Sequence, residues 1–492
     1  MTAIDLTLES LHRTATKLFT GALEACSIET AFDRRVRFED GKLLRLMPEG
    51  GGPAVVDLKA YRQIFVIAAG KAAVPMLDVL LGRMKRRLGV RGICCAGEVP
   101  ALNSGKRNWR IRYFEGGHPL PNEGSFAAAR AALALLRKAK KDTLVIFLIS
   151  GGASALFDLP VDPEITLEDA MGFHQALVAS GAPITDVNVI RKHFSAVKGG
   201  RLAVACAEAA KLSILLPDVP LRSLDALGSG PTLPDQSTVE EARELIAQYG
   251  LMEKFPERVA AYFQRADLKE VAESPGVKRR LALLPMLAGG LRRPVPEAGK
   301  EDDAAFLDSM YEVLLSSHDL VENARMLAEQ AGYFTVVDNN CDDWDYAAAA
   351  EYLLRRFHAI RSEHGRCCLI SGGEVTVTMD RVPGAGGRNQ QFALGCVADL
   401  ARFAAQPNSV AMAVLSAGSD GIDGNTRAAG AIADTTTAER ARAFGYDPEA
   451  ALREFNACPL FTALGDTVVT GPTGHNLRDL RILIADGAGP RE

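Results

Sequence analysis

The sequence predicts an α/β protein of two lobes with a cleft between them, the first lobe Rossmann-like with a largely parallel sheet. Three observations carry this. From Tyr61 onward, apolar strand-like runs alternate with amphipathic helical stretches, the pattern of βαβ units. At 492 residues the chain exceeds one ordinary core, so two or three domains are expected. The string Leu-Ile-Ser-Gly-Gly occurs twice, at 148–152 and 369–373, each time closing an apolar run. A strand that stops at Ser-Gly-Gly turns sharply and is expected to leave bare amides at its carboxyl end. Open α/β sheets place ligands there, and bare amides suit anions.

The elements follow in order. An amphipathic helix is predicted over 5–32, then the strand 64–69, a helix over about 72–88 and the strand 92–96. A loop at 115–125 precedes the Ala/Leu-rich helix 126–140 and the strand 144–149. Helices at 166–180, 186–198 and 200–211 lead to the strand 212–216. Pro, Gly, Lys and Arg cluster at 274–303, which reads as a linker or insertion loop. The expected domains are therefore 1–275 and 304–492, joined by 276–303.

In the second lobe the pattern predicts a helix at 319–331, a strand at 333–337, a helix at 346–363 and a strand at 367–370. Alternation of Val375, Val377 and Met379 suggests a hairpin partner for that strand. A Gly-rich loop (384–387), a helix (389–405), a strand (411–416), an Asp/Gly loop (418–424) and a terminal strand (480–485) complete it.

Composition excludes several classes. The net charge of −5 and the lack of a long basic run argue against nucleic acid. No apolar run approaches the roughly 18–20 residues that span a bilayer. Asp5 and Glu9 stand where a secretory signal would be apolar, so a cytoplasmic address is expected. Nine irregularly spaced cysteines form no Cys-x-x-Cys and no zinc-spaced set, which leaves buried free thiols.

Five segments carry chemistry. Gly70-Lys71 follows the strand 64–69 and opens a helix, placing a point charge beside an anion-friendly terminus, although Phe65 stands where a Walker A loop needs glycine. Gly151-Gly152-Ala153-Ser154 is a second such turn, with Ser154 placed to cap a helix or to meet a phosphate oxygen. Arg191, Ser195 and Lys198 fall on one predicted helical face and would suit a carboxylate or phosphate, with a solvated basic face as the competing reading. Gly384-Ala-Gly-Gly-Arg388-Asn389 follows Gly372-Gly373-Glu374 and presents a planar guanidinium to an anion. Asp420 and Asp423 are hard ligands suited to Mg²⁺, and Asx-turns explain the same residues without metal. His475 is isolated in its Gly/Thr loop.

These segments together resemble the class II glycerate kinase family, whose members carry a C-terminal MOFRL domain and were long named hydroxypyruvate reductases. The resemblance rests on AAGKAA, GGHPLPNEGS, LISGGASALF, NVIRKHFSAVKGGRLA and SGPTLPD in the first lobe. In the second it rests on ISGGEVTV, GGRNQQFAL, SAGSDGIDGNTRAAGAIAD and TGPTGHNLRDL, in family order over most of 60–480. It implies a MOFRL-type α/β domain over about 365–485 and Mg²⁺-assisted transfer of phosphate from ATP to the 2-hydroxyl of D-glycerate.

The family's active-site lysine and arginine match Lys71 and Arg388, and Asp218 joins them as a catalytic candidate. Gly70, Gly151, Gly152, Ser154, Gly372, Gly373, Glu374 and Asn389 would bind the nucleotide; Arg191, Ser195 and Lys198 the substrate; Asp420 and Asp423 the metal. Glycerate and ATP are the implied partners, with a homodimer among the assemblies left open. Pro217-Asp218-Val219-Pro220 departs from the usual loop, which leaves Asp218 and Asp225 open as bases or metal ligands. Gly-x-Gly-x-x-Gly follows no predicted strand, which weighs against a nicotinamide-dependent reductase. A non-catalytic nucleotide or sugar-acid sensor is the other alternative.

Overall fold

The computed structural model describes residues 3–48, 52–84, 89–101, 108–265, 295–406 and 409–487. They form two compact units that are not consecutive halves of the chain. A central unit spans Arg35–Leu314, and a terminal unit combines Met1–Arg34 with Leu315–Glu492. This corrects the linear division at 276–303. Residues 266–294 of that stretch lie outside the described residues, and 295–314 belong to the central unit.

In the central unit, an antiparallel sheet of β1 (Val36–Glu39), β2 (Leu43–Leu46) and β3 (Ala54–Asp57) precedes the main one. The main sheet comprises β4 (Gln63–Ala69), β5 (Val90–Ala96), β6 (Ile111–Glu115), β7 (Thr143–Ser150), β8 (Ala210–Leu216) and β9 (Ser309–Val313). Its spatial order is β6-β5-β4-β7-β8-β9, and every neighbouring pair is parallel. Numbered along the sheet's own strands, that is 3-2-1-4-5-6, the doubly wound order whose direction reverses between the first and fourth strands. The reversal falls between β4 and β7. Gly70-Lys71 and Gly151-Gly152 therefore leave the sheet side by side, at the point where such folds bind ligands.

Burial on both faces explains why these strands read as continuous apolar runs; all eight residues of β7 are buried. One face packs Phe65, Ile67, Val145, Phe147 and Ile149 against the Ala-rich helix Glu123–Leu136. That helix starts at a capping box between Asn122 and Ser125.

The terminal unit is an α–β–α sandwich. Its strands are β10 (Phe334–Val337), β11 (Arg366–Gly372), β12 (Ala411–Gly418), β13 (Gly430–Asp434), β14 (Thr467–Val468) and β15 (Asp479–Asp486). They lie in the order β10-β11-β15-β12-β13-β14, with only β10-β11 parallel. Cys367, Leu369, Met412, Val414 and Leu483 face the helices Tyr346–Glu363 and Arg388–Ala404. The opposite face is covered by the helices Ala3–Ala25 and Ser317–Gln330. The first helix joins this unit because Leu8, Leu11, Ala15, Leu18, Phe19 and Ala22 form one apolar stripe, and this sheet has a face for it to cover.

Several local expectations change. The 5–32 helix is two helices, Ala3–Ala25 and Ile28–Arg35. Residues 374–379 form no strand; they make an isolated bridge, Asp345 to Thr376, because β10 and β15 already occupy both edges of β11. The 200–211 helix shrinks to Arg201–Val204.

Candidate functional site

In the central unit the site grows from two turns that interlock. Lys71 N–H donates to the Gly151 carbonyl (2.9 Å) and Ala72 N–H to Ser150 Oγ (3.0 Å). Gly70 and Gly152 hold φ of 121° and 80°, and a Cβ on Gly70 would stand 2.4 Å from the Ser150 carbonyl oxygen. Only glycine permits both the conformation and the approach. The amides of Gly151 and Gly152 make no hydrogen bond among the described residues, so this turn keeps the open donors that its sequence predicts.

Three functional side chains surround these glycines. A Cβ on Gly152 would meet Lys71 Cγ at 3.1 Å and His118 Cδ2 at 3.4 Å, and one on Gly151 would meet Asp218 Oδ2 at 2.1 Å. The exposed Lys71 ammonium has no partner among the described residues, so its charge is available. Partial burial and then the Lys71 charge lower the pKa of His118, keeping its ring neutral and able to accept a proton. His118 stands in GGHPLPNEGS, and nothing in that string marks it as functional. A lone histidine in a loop carries no periodicity; only the fold brings it to Gly152.

Ser154 does not cap its helix. It lies inside the short helix Ala153–Leu156, with Oγ 3.1 Å from Ser229 Oγ. Arg191, Ser195 and Lys198 do not share a helical face either, because the helix Ile184–Phe194 ends before Ser195. Ser195 Oγ donates to Asp158 Oδ1 (2.5 Å), Lys198 Nζ lies 2.5 Å from the same oxygen, and His174 Nε2 lies 2.8 Å from Oδ2. Asp158, Ser195, Lys198 and His174 are all buried. Burial opposes the charge on Asp158, but Lys198 and His174 outweigh it and hold the carboxyl well below its usual range. Ser195 and Lys198 are thus committed to an internal ion cluster. Arg191 borders it with a buried Nε that finds no acceptor.

The terminal unit treats its own Ser-Gly-Gly turn differently. Gly372 N–H donates to Asn339 Oδ1 (2.7 Å), Gly373 N–H to the Asp479 carbonyl (3.1 Å) and Glu374 N–H to Asp342 Oδ1 (3.1 Å). The fully buried Arg481 donates to the carbonyls of Gly372 (3.2 Å) and Gly373 (3.1 Å). The bare amides expected at this second copy are all satisfied, so Gly372 and Gly373 shape the turn and have no amide left for phosphate.

Arg388 stands in the first turn of its helix, held by Asp479 through Nε (2.6 Å) and Nη2 (3.1 Å) and by Glu374 through Nη1 (2.9 Å). This fork-to-carboxylate pairing fixes the guanidinium plane. Burial and then Asp479 push Glu374 up to about 7. Burial opposes the charge on Arg388, but its two carboxylate partners outweigh it and raise its pKa.

Asp423 is a helix cap. Its carboxylate receives Asn389 N–H (3.0 Å), Asn389 Nδ2 (3.3 Å), Gln390 N–H (2.9 Å) and Gln390 Nε2 (3.1 Å). Four donors fill the acceptor sites of a carboxylate, and the 2 % exposed side chain has nothing left for a metal. Asn389 is equally committed, its Oδ1 accepting from Ser416 Oγ (2.7 Å). Asp420 differs: among the described residues Oδ1 accepts only Ile422 N–H (3.1 Å), and Oδ2 makes no hydrogen bond. Among the described residues no group of three or more His, Cys, Asp or Glu side chains could hold a metal unaided. One open carboxylate oxygen fits Mg²⁺ that arrives with phosphate and water ligands. Asp420, Asp423 and Arg388 line a cavity of about 740 Å³.

Comparison with known proteins gives a consistent picture. Residues 14–264 match a domain of unknown function, DUF4147, and residues 367–479 match the MOFRL family. A glycerate 2-kinase of Pyrococcus horikoshii is 33% identical over 86% of this chain and 87% of its own length. A D-glycerate 2-kinase of Thermotoga maritima is 31% identical over 85% and 90%. A putative hydroxypyruvate reductase of Agrobacterium vitis is 32% identical over 85% and 86%. The crystal structure of a glycerate kinase from Thermotoga maritima superposes with a TM-score of 0.73 at 28% identity, covering 97% of this chain and 100% of that one.

Proposed function

Because the chain belongs to the class II glycerate kinase family, we propose that it transfers the terminal phosphoryl group of ATP to the 2-hydroxyl of D-glycerate, with Mg²⁺ accompanying the nucleotide. The glycerate hydroxyl oxygen forms the new P–O bond, the bond to the β-phosphate oxygen breaks, ADP leaves, and the hydroxyl proton passes to a protein base. The observation that carries the reading is the switch point of the central unit. There a Lys71 ammonium and two glycine amides without a partner among the described residues, and two proton acceptors, Asp218 and His118, surround one turn.

Phosphoryl transfer is mostly positioning and charge neutralisation, and these groups supply both. Lys71 neutralises the transferring phosphoryl, the Gly151 and Gly152 amides receive its oxygens, and Asp218 or His118 takes the proton. The open oxygen of Asp420 would hold Mg²⁺, which would offset nucleotide phosphate charge when bound. In the terminal unit, Glu374 and Asp479 clamp Arg388 and Asp420 lines the same cavity, a surplus of negative charge that supports a metal-bearing nucleotide over a bare phosphate.

A reductase reading would need several glycines after β4, where nicotinamide pyrophosphate is held; this chain has Gly70 followed by Lys71. Purified protein assayed with glycerate, ATP and Mg²⁺, beside hydroxypyruvate and NAD(P)H, decides the matter. Formation of 2-phosphoglycerate and ADP is expected. Oxidation of NAD(P)H without phosphorylation would sink the kinase reading, and nucleotide binding without turnover would mark a sensor.

A further inference from the structure

The 740 Å³ cavity of the terminal unit is too large and too apolar for a three-carbon acid. It falls in the range of about 300–1,000 Å³ typical of sites for larger organic ligands. Val375, Val377, Met379, Ile422 and Phe455 supply the apolar lining, while Arg388, Gly387, Asp420 and Asp423 supply the polar and charged lining. Met379 and Ile422, 55% and 48% exposed, both belong to the lining of this one cavity and are not scattered single residues. The polar lining includes the fixed guanidinium of Arg388 and the Gly387 amide, which meets no acceptor among the described residues.

The glycine loop on this rim is pre-organised. Asn425 bridges it, donating to the Gly384 carbonyl (3.0 Å) and accepting from Gly386 N–H (2.9 Å). Asn456 accepts from Ala385 N–H (2.9 Å). Phe455, the residue before it, holds a φ of 50°, a conformation costly for an aromatic residue and kept where the surroundings demand it. A lining that combines these apolar side chains with the Arg388 guanidinium and the Gly387 amide matches a ligand of both characters: a flat heteroaromatic base joined to phosphates.

We propose that this cavity takes the purine base and ribose of the phosphoryl donor, the base against Val377, Met379, Ile422 and Phe455 and the phosphates toward Arg388 and Gly387. The assignment rests on the kinase reading for the identity of the donor, but its test is a binding measurement that needs no turnover.

Two variants fill the cavity with bulk at separate points in the chain, Ile422→Trp and Val377→Trp. Each is expected to weaken ADP binding, measured by calorimetry, about tenfold or more, with the KM for glycerate and the melting temperature unchanged. In the unaltered protein, ADP is expected to lower peroxide oxidation of Met379 several-fold by mass-spectrometric footprinting, and glycerate is not. Unchanged ADP affinity in both variants, or protection of Met379 by glycerate alone, overturns the assignment, and unprotected Met379 with ADP bound overturns it even if the variants misfold. If the protein phosphorylates glycerate yet the cavity variants bind ADP normally, the site falls and the kinase reading stands. ADP held in the cavity without glycerate phosphorylation gives the reverse.

Discussion

The two Ser-Gly-Gly turns share five residues and behave oppositely. In the central unit, among the described residues, the turn after β7 leaves Gly151 and Gly152 amides open beside Lys71, whose ammonium has no partner there. In the terminal unit the turn after β11 has its amides taken by Asn339, Asp342 and Asp479, and its cation, Arg388, is clamped by two carboxylates. One turn is a chemical edge and the other a scaffold. The strand context makes the difference: a parallel switch point leaves a crevice beside the turn, whereas antiparallel β15 passes next to the second copy and brings Asp479 with it.

The contrast can be broken at its strongest point first. Lys71→Ala is expected to lower kcat/KM at least a hundredfold, about 2.7 kcal/mol of transition-state stabilisation, with an unchanged melting temperature. Near-wild-type turnover would remove Lys71 from the chemistry. Arg388→Ala is expected to lose both activity and stability, because it strands the 2 % exposed Asp479. The expected cost is about 2–3 kcal/mol, below the range for fully buried pairs since Arg388 is partly exposed. Loss of activity at full stability would mean that the clamp is dispensable.

Smaller effects separate the two aspartates of the 418–424 loop. Asp423→Ala is expected to cost about 1–2 kcal/mol in chemical denaturation, the worth of a helix cap, without moving the Mg²⁺ titration. Asp420→Asn is expected to do the reverse, raising the Mg²⁺ requirement at unchanged stability. Exchanged outcomes would make Asp423 the ligand after all.

The smallest effect is a pH dependence. The folded protein raises Glu374 from 4.5 to about 7, so protonation favours the native state. The stability linked to this group is full below about pH 4.5 and is lost as pH rises through about 7. Glu374→Gln is expected to flatten the melting temperature across that window. A profile matching that of the unaltered protein would place the titration elsewhere.

Much of the site was legible in the residues themselves. Gly70-Lys71 and Gly151-Gly152 announced themselves because strand, glycine and helix are consecutive in the chain, and Arg388 because a glycine loop precedes it. Reach was not legible. The helical spacing of Arg191, Ser195 and Lys198 looked like a basic face, yet Asp158, far away in sequence, draws Ser195 and Lys198 into the interior. Asp420 and Asp423 looked equivalent until the amides of Asn389 and Gln390 claimed one of them. The first helix showed its apolar stripe but not which sheet it covers.

The sequence by itself determined the class of fold, the alternating elements and the strand-to-helix turns, since each depends on neighbours within a few residues. Tertiary structure alone decided which turn stays open, which cation stays free, where His118 comes to lie and to which unit the N-terminal helix belongs. Those outcomes depend on partners distant in the chain, and a buried polar group takes the nearest partner in space.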